Sequence, residues 1–289
     1  MGIVYFVLIA GVVGGFFFNK VKNPEARVVF SYPQELIEFG GEKLSFDGVR
    51  GQDMKERFDR EFLIVSNNLY QAFLYIKRYP LYIPYIKERL QEHDIHPDFI
   101  YLPIAESALR NDVVSHAGAA GIWQFMPDTA RRYGLQVDDY IDERYHFEKS
   151  TEAALIYLKD LYNQFGDWAL VAAAYNRGEN GLRRDMASQG VNNYYDLFLN
   201  NETSRYVFRI LAIKYMFASY YENKSFIDTF IGGVYTPSEN QVINIVGPVE
   251  DLRVWSQNEG YNYREIRLLN PWIKSFELPE GEWMIEINH

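Results

Sequence analysis

From Met54 to Tyr221 the chain contains no segment that alternates like a strand, and its apolar residues recur at helical spacing instead. In MKERFDREFLIVSNNLYQAFLYIKRYPLYIPYIKERLQEHDI the residues Phe58, Phe62, Val65, Leu69, Phe73 and Ile76 fall three and four apart, which is one face of a helix. Pro80 and Pro84 predict an interruption, because each lacks a backbone donor, and Tyr85 to Leu90 predicts a resumed helix that stops before His93 and Pro97. Farther on, EKSTEAALIYLKDLYNQFGDWALVAAAYNRGENGLRRDM predicts two helices broken at Gly166. Ser150 or Thr151 is the expected cap of the first, with Glu152 in its opening turn, and Asp167 caps the second. A last long helix, ETSRYVFRILAIKYMFASYY, carries Val207, Ile210, Leu211 and Met216 on one side. Such faces are buried only by packing helix on helix, so residues 54–225 are expected to form a mainly α domain.

The flanks differ in texture. Residues 1–19 carry no charged side chain, and the run from Ile3 to Phe18 is long enough for a signal-peptide core or a short membrane anchor. Export or anchoring follows as an expectation, with a buried N-terminal strand as the alternative. The nearest cations, Lys20 and Lys22, lie after the apolar run, the wrong side for an exported body. Residues 20–53 mix Pro24, Pro33, Gly40, Gly41, Gly48 and Gly51 with short apolar runs and read as a linker or irregular wrap. After Phe226 the segments VYTPS, QVINIV and EWMIEIN surround EDLRVWSQNEG and NYREIRLLNPW, so residues 226–289 are expected to form a small α+β module in which two strands flank two short helices.

Composition excludes several function classes. With 29 Lys+Arg against 39 Asp+Glu the net charge is −10, which argues against a nucleic-acid partner held by counterion release. Cys is absent, removing disulfides, thiolate sites, a Cys nucleophile and a lipid-modified N-terminal Cys. No metal or other cofactor is expected. His93 and His96 do not form a zinc helix, and Asp138, Asp139, Asp142 and Glu143 lack the spacing and glycine of a calcium loop. Aromatic residues make up 17%, more than a core of this size requires, and flat aromatic faces suit sugars.

The chemistry concentrates in IHPDFIYLPIAESALRNDVVSHAGAAGIWQFMPDTARRYGL. Pro97 is placed as a first helical residue with Asp98 in the first turn, and Pro103 is expected to bend that helix from within. Tyr101, Ile104, Ala105 and Ala108 form an apolar stripe, and Glu106 emerges beside it near the helix end. Partial desolvation there raises a carboxyl pKa, and a protonated Glu near neutrality is the general acid that a glycosidic oxygen needs. GAAGIWQFMP is too poor in charge for a surface loop and too rich in Gly for a plain helix. Its glycines permit close backbone approach, and Gln124 offers a donor and an acceptor for a hydroxyl or acetamido group.

Four motifs in order, Glu-Ser, GAAGIWQFMPDTA, AYNRG and ETSRYV, resemble the goose-lysozyme-like lytic transglycosylases, most of all their membrane-bound branch, over about Asp94 to Tyr220. The resemblance implies a lysozyme-like helical catalytic domain acting on peptidoglycan glycan strands in an exported, cell-envelope setting, with membrane contact through the N-terminal segment. Carried over by position, it makes Glu106 the catalytic acid and base with Ser107 its motif partner. Ser115, Gly118 and Gly121 shape a loop, Gln124 and Met126 line the groove, and Tyr175 and Asn176 face the glycan. Glu202 and Tyr206 match the last motif, the tyrosine being expected to hydrogen-bond Glu106, while Trp123 reads as structural. The chain departs from the pattern at Ala108-Leu109, where Gly-Phe is common, and at Arg110-Asn111-Asp112, where an Asn-Pro turn is usual.

The implied reaction cleaves the bond between N-acetylmuramic acid and N-acetylglucosamine with formation of a 1,6-anhydro ring. Two alternatives stand beside it. A second carboxylate across the cleft, from Asp112, Glu152 or Asp167, would make a hydrolytic muramidase, and loss of turnover would leave a non-catalytic peptidoglycan-binding protein. The C-terminal order of strand, two helices and strand loosely resembles a LysM-like module, which implies binding of N-acetylglucosamine-containing glycan, with an added helical or packing subdomain as the alternative.

Overall fold

A computed structural model describes residues 30–288. The apolar run at residues 1–19 lies outside the described residues. The first described segment crosses the helical body in extended form and buries Phe30, Ile37, Phe39 and Leu44 in the main core. Within it a two-residue hairpin, β1 (Glu38–Phe39) and β2 (Glu42–Lys43), turns at Gly40, whose amide donates to Asp98 Oδ2 at 3.0 Å. A side chain at Gly40 would land on Trp168, so the wrap approaches the body as closely as a backbone can.

Helix α1 (Gly48–Asn67) is followed at once by α2 (Leu69–Glu92), with the Asn68 side chain capping α2 through Gln71 N. Contrary to the expected interruption, α2 runs straight through Pro80 and Pro84. Each proline removes one backbone hydrogen bond. Burial of Ile76, Ile83, Ile86 and Leu90 along the same helix outweighs that loss. The segment from Pro97 also differs from expectation. Pro97–Tyr101 is a 3-10 turn that passes into the short helix α3 (Leu102–Ser107), so Pro103 sits at the start of α3 and does not bend a longer one.

Next come α4 (Pro127–Arg132), α5 (Phe147–Phe165), α6 (Trp168–Arg177), α7 (Glu179–Gln189), α8 (Thr203–Glu222) and α9 (Lys224–Ile231). Helix α5 begins at Phe147, earlier than the predicted cap. Ser150 and Thr151 lie inside its first turns and donate back to the Phe147 carbonyl, and Glu152 lies inside the helix, paired with Arg89. Asp167 does cap α6, accepting from Leu170 N at 2.7 Å. Helix α8 is buried on most sides and packs along α1, which makes it the central helix of the body.

The C-terminal module pairs β3 (Gln241–Val246) with β4 (Glu282–Ile287) antiparallel, from Gln241 opposite Ile287 to Val246 opposite Glu282. Between them lie α10 (Leu252–Asn258) and α11 (Tyr263–Leu269), whereas VYTPS forms no strand. The buried Asn270 clamps this unit: its amide donates to Glu286 O at 2.7 Å and accepts from Glu286 N at 2.8 Å.

The module is not tethered loosely. Its apolar residues share one cluster with Ala120, Ile141 and Tyr145 of the helical body. Asp142 N donates to Trp272 O at 2.8 Å, Lys274 N donates to Tyr140 O at 2.7 Å, and the His146 and Trp272 rings stack 5.7 Å apart.

Candidate active site

Glu106 lies one residue before the end of α3, which stops because Ala108 and Leu109 are both left-handed, with φ of 59° and 55°. Ala108 is where the sequence departs from the glycine that the resemblance leads one to expect, and a left-handed backbone is one that glycine adopts without strain. The turn is held from outside: Arg78 of α2 donates to Ala108 O at 3.1 Å. Glu106 opens onto a cleft of about 300 Å³ lined also by Gln71, Tyr75, Ala105, Ser107 and Gln124.

The carboxyl is desolvated, and burial pushes its pKa up to about 7. Two effects oppose that rise. The hydroxyl of the fully buried Tyr206, from α8, donates to Glu106 Oε1, and the Arg209 guanidinium one turn on favours the ionised form. Arg209 also faces the buried Glu61 carboxylate of α1 at 3.4 Å, and Arg205 does so at 3.0 Å. Glu202, at the head of α8, pushes in the same direction as burial. With Oε1 occupied by the Tyr206 hydroxyl, Oε2 is the oxygen free to carry a proton into the cleft.

Opposite Glu106, residues 113–125 fold into a tight loop with isolated bridges from Val114 to Ala120 and from Ala120 to Phe125. A side chain at Gly121 would overlap the Arg144 carbonyl, and its φ is 77°. Arg144 itself is buried. It grips Asp142 through two nitrogens and donates to Gly118 O at 2.7 Å and Phe125 O at 3.1 Å. Asn111, in the segment that replaces the usual Asn-Pro turn, ties the loop to the body by donating to Tyr145 O and accepting from Ile122 N.

The residues singled out from the sequence occupy distinct places. Ser107 is buried and its hydroxyl donates to Pro103 O at 3.0 Å. Ser115 is exposed on the cleft loop and accepts from Ala119 N, and Met126 is exposed just past the loop. Gln124 lines the cleft with φ of 52° and donates to Gly121 O at 2.8 Å. Tyr175 donates to Trp123 O at 2.7 Å, and Trp123 is fully buried with its indole N–H on Thr151, a structural placement. Asn176 joins the third and fourth motifs, donating to Glu202 Oε1 and accepting from Thr203 Oγ1. The carboxylates considered as second catalytic groups are engaged elsewhere: Asp112 by Arg110, Glu152 by Arg89 and His93, and Asp167 by the α6 terminus.

Sequence reasoning missed Gln71, Tyr75, Arg78, Arg144 and Arg209. The first three carry a readable signal, since they share the i, i+4, i+7 spacing of one helix face. The partners of Arg144 are set only by the fold. Among the described residues no group of three His, Cys, Asp or Glu could hold a metal ion, and no helix is long and apolar enough to cross a membrane.

Comparison with known proteins gives two family matches. Residues 84–198 match the Transglycosylase SLT domain, and residues 241–287 match the Soluble lytic transglycosylase C-terminal LysM-like domain. Membrane-bound lytic murein transglycosylase D of Escherichia coli (strain K12) is 28% identical over 254 residues, covering 84% of this chain and 53% of that protein. The chain thus spans about half the length of this curated relative. Among solved structures, the 70 kDa soluble lytic transglycosylase from Escherichia coli covers 60% of this chain and 30% of its own, at 23% identity and a TM-score of 0.44. A lytic transglycosylase Slt from Pseudomonas aeruginosa covers 48% of this chain and 24% of its own, at 20% identity and a TM-score of 0.36.

Proposed function

We propose that this chain, whose residues 84–198 match the transglycosylase SLT domain and residues 241–287 the LysM-like domain, is a cell-envelope lytic transglycosylase that cleaves peptidoglycan with Glu106 as its single acid and base. The observation that carries the reading is Glu106 itself: a desolvated carboxyl near half-protonation at neutral pH, aimed into a cleft and anchored by one tyrosine. Similarity over the matched length to a protein named as a murein transglycosylase supports the same substrate class.

In the first step the Oε2 proton passes to the glycosidic oxygen, and the bond from that oxygen to the anomeric carbon of N-acetylmuramic acid breaks. The neighbouring 2-acetamido oxygen shares the positive charge at that carbon, the role a second carboxylate fills in most glycosidases. Glu106, now ionised, then takes the proton of the C6 hydroxyl, whose oxygen bonds to the anomeric carbon and closes the 1,6-anhydro ring. The carboxyl ends as it began, and no water is consumed. An intramolecular nucleophile held in place competes well with water, because its effective molarity is of order 10⁵ M or more. The engagement of Asp112, Glu152 and Asp167 elsewhere favours this route over a two-carboxylate hydrolysis.

The LysM-like domain is assigned the task of holding N-acetylglucosamine-containing strands beside the cleft. Replacing the acid tests the reading. Glu106→Gln keeps the shape and loses the proton, so murein turnover should fall by at least about 10³-fold with the fold intact. Substantial turnover by that variant would contradict the assignment.

A further inference from the structure

Arg205, Tyr206 and Arg209 share little more than one turn of α8, so the tyrosine that anchors Glu106 is flanked by two guanidinium groups. Both face Glu61, a carboxylate of α1 that is 2% exposed and does not line the cleft. As a fastener this cluster is poor. Arg209 Nε donates to Glu61 Oε2 at a long 3.4 Å, and Arg205 Nε and Glu61 Oε1 are buried without a hydrogen bond although they lie 3.0 Å apart. A buried ion cluster bonded so incompletely returns little of its desolvation cost, and its place behind the acid calls for another account.

The cation that Glu61 holds is the one that draws Glu106 toward its ionised form. The other groups around the acid act differently. On α8, Tyr206 donates to the carboxyl and Glu202 repels its charge. On α6, Tyr175 donates to Trp123 O. On α2, burial keeps the Tyr75 hydroxyl protonated and Arg78 is turned onto Ala108 O, while past α3 Arg110 is forked onto Asp112. A guanidinium alone presents a full unit charge to a neighbour, whereas one paired with a carboxylate presents a dipole, whose field falls off faster.

We propose that Glu61 is a positioning residue for the reaction: by pairing with Arg209 it turns that cation's field away from Glu106, so the acid keeps its proton for the glycosidic oxygen. The proposal rests on the single-acid reading for what that proton does. Glu61 itself touches no substrate and moves no proton.

The test reads the Glu106 proton directly in the full chain, labelled with carbon-13 at its glutamate carboxyl groups. The Glu106 signal is the one lost in Glu106→Gln, and in the parent its titration should centre at about pH 7. Glu61→Gln keeps the shape and an acceptor oxygen for Arg209 but removes the charge. The Glu106 titration and the alkaline limb of the murein pH-rate profile should then fall together by about one pH unit, a loss of about tenfold in rate at pH 8 and little at pH 5. Arg209→Gln should move the limb upward, and adding Glu61→Gln to it should bring no further fall. A titration left unmoved or raised by Glu61→Gln, an equal fall with and without Arg209, a rate lost equally at every pH, or failure of Glu61→Gln to fold would make Glu61 a structural residue and overturn the proposal. Murein turnover surviving in Glu106→Gln would overturn the single-acid reading, and the carboxyl titration, which needs no substrate, keeps the two failures apart.

Discussion

At Glu106 burial and hydrogen bonding pull in opposite directions, and burial wins, which sets the pH dependence. As a general acid the group must be protonated, so the rate should fall above about pH 7 as the carboxyl ionises. Tyr206→Phe removes the donor that favours the ionised form. The alkaline limb of the pH-rate profile should therefore move upward, and kcat should drop about tenfold as Glu106 loses its anchor. A limb that moves downward would contradict the hydrogen-bond direction. Stability follows the same proton: the folded pKa lies above the ordinary carboxyl value of 4.5, so the folded state holds the proton more tightly. That stabilisation is complete below about pH 4.5 and is lost as pH rises through 7. Glu106→Gln, which cannot ionise, should gain about 1–3 kcal/mol over the parent between pH 5 and pH 8 in thermal or denaturant unfolding. The Tyr206 to Glu106 pairing was legible only through the family resemblance that the motifs carry. The grip of Arg144 on Asp142, Gly118 and Phe125 was not, because those partners are brought together only by the fold.

At the scale of elements the cleft loop is the part that tolerates least change. Gly121 lies against the Arg144 carbonyl with a left-handed backbone, so Gly121→Ala should cost about 3 kcal/mol or more and reduce activity with it. Its counterpart at the other wall is a gain. Ala108 holds a left-handed conformation that a Cβ disfavours, so Ala108→Gly should stabilise by about 1 kcal/mol in chemical denaturation. Helix existence was readable from apolar spacing, whereas several boundaries were not. Pro80 and Pro84 obey the rule that they weaken a helix, yet the burial of α2 along its length overrides them. Ser150 and Thr151 are good caps in general, but here the chain enters α5 earlier and their hydroxyls bond back to Phe147 and, for Thr151, receive the Trp123 indole. Both cases turn on tertiary contacts that a local pattern cannot contain.

At the scale of the molecule, the C-terminal module and the cleft loop are mechanically joined. Trp272 meets the segment that carries Asp142, Arg144 grips Asp142, and the same Arg144 holds Gly118 and Phe125 of the loop. The sequence leaves the module open between a LysM-like glycan holder and an added packing subdomain; the shared cluster with Ala120 and Tyr145 shows that it packs on the helical body beside the cleft loop. Trp272→Ala should therefore cost about 3–5 kcal/mol and lower kcat on short soluble glycan fragments, not only retention on insoluble murein. Unchanged kcat on soluble fragments would show the two halves to be independent. The acidic balance of the chain bears on the proposed function at this scale, since a carboxylate-bearing glycan bound by a chain of net charge −10 would have to be recognised by shape and hydrogen bonds and not by a basic surface. The central claim, a single carboxyl passing its proton out and back without water, is tested most directly by mass spectrometry of the products released from purified sacculi. New muramic ends should be one water lighter than hydrolytic ends, as 1,6-anhydro rings require. Reducing ends carrying the full water would contradict the account and make the protein a hydrolase.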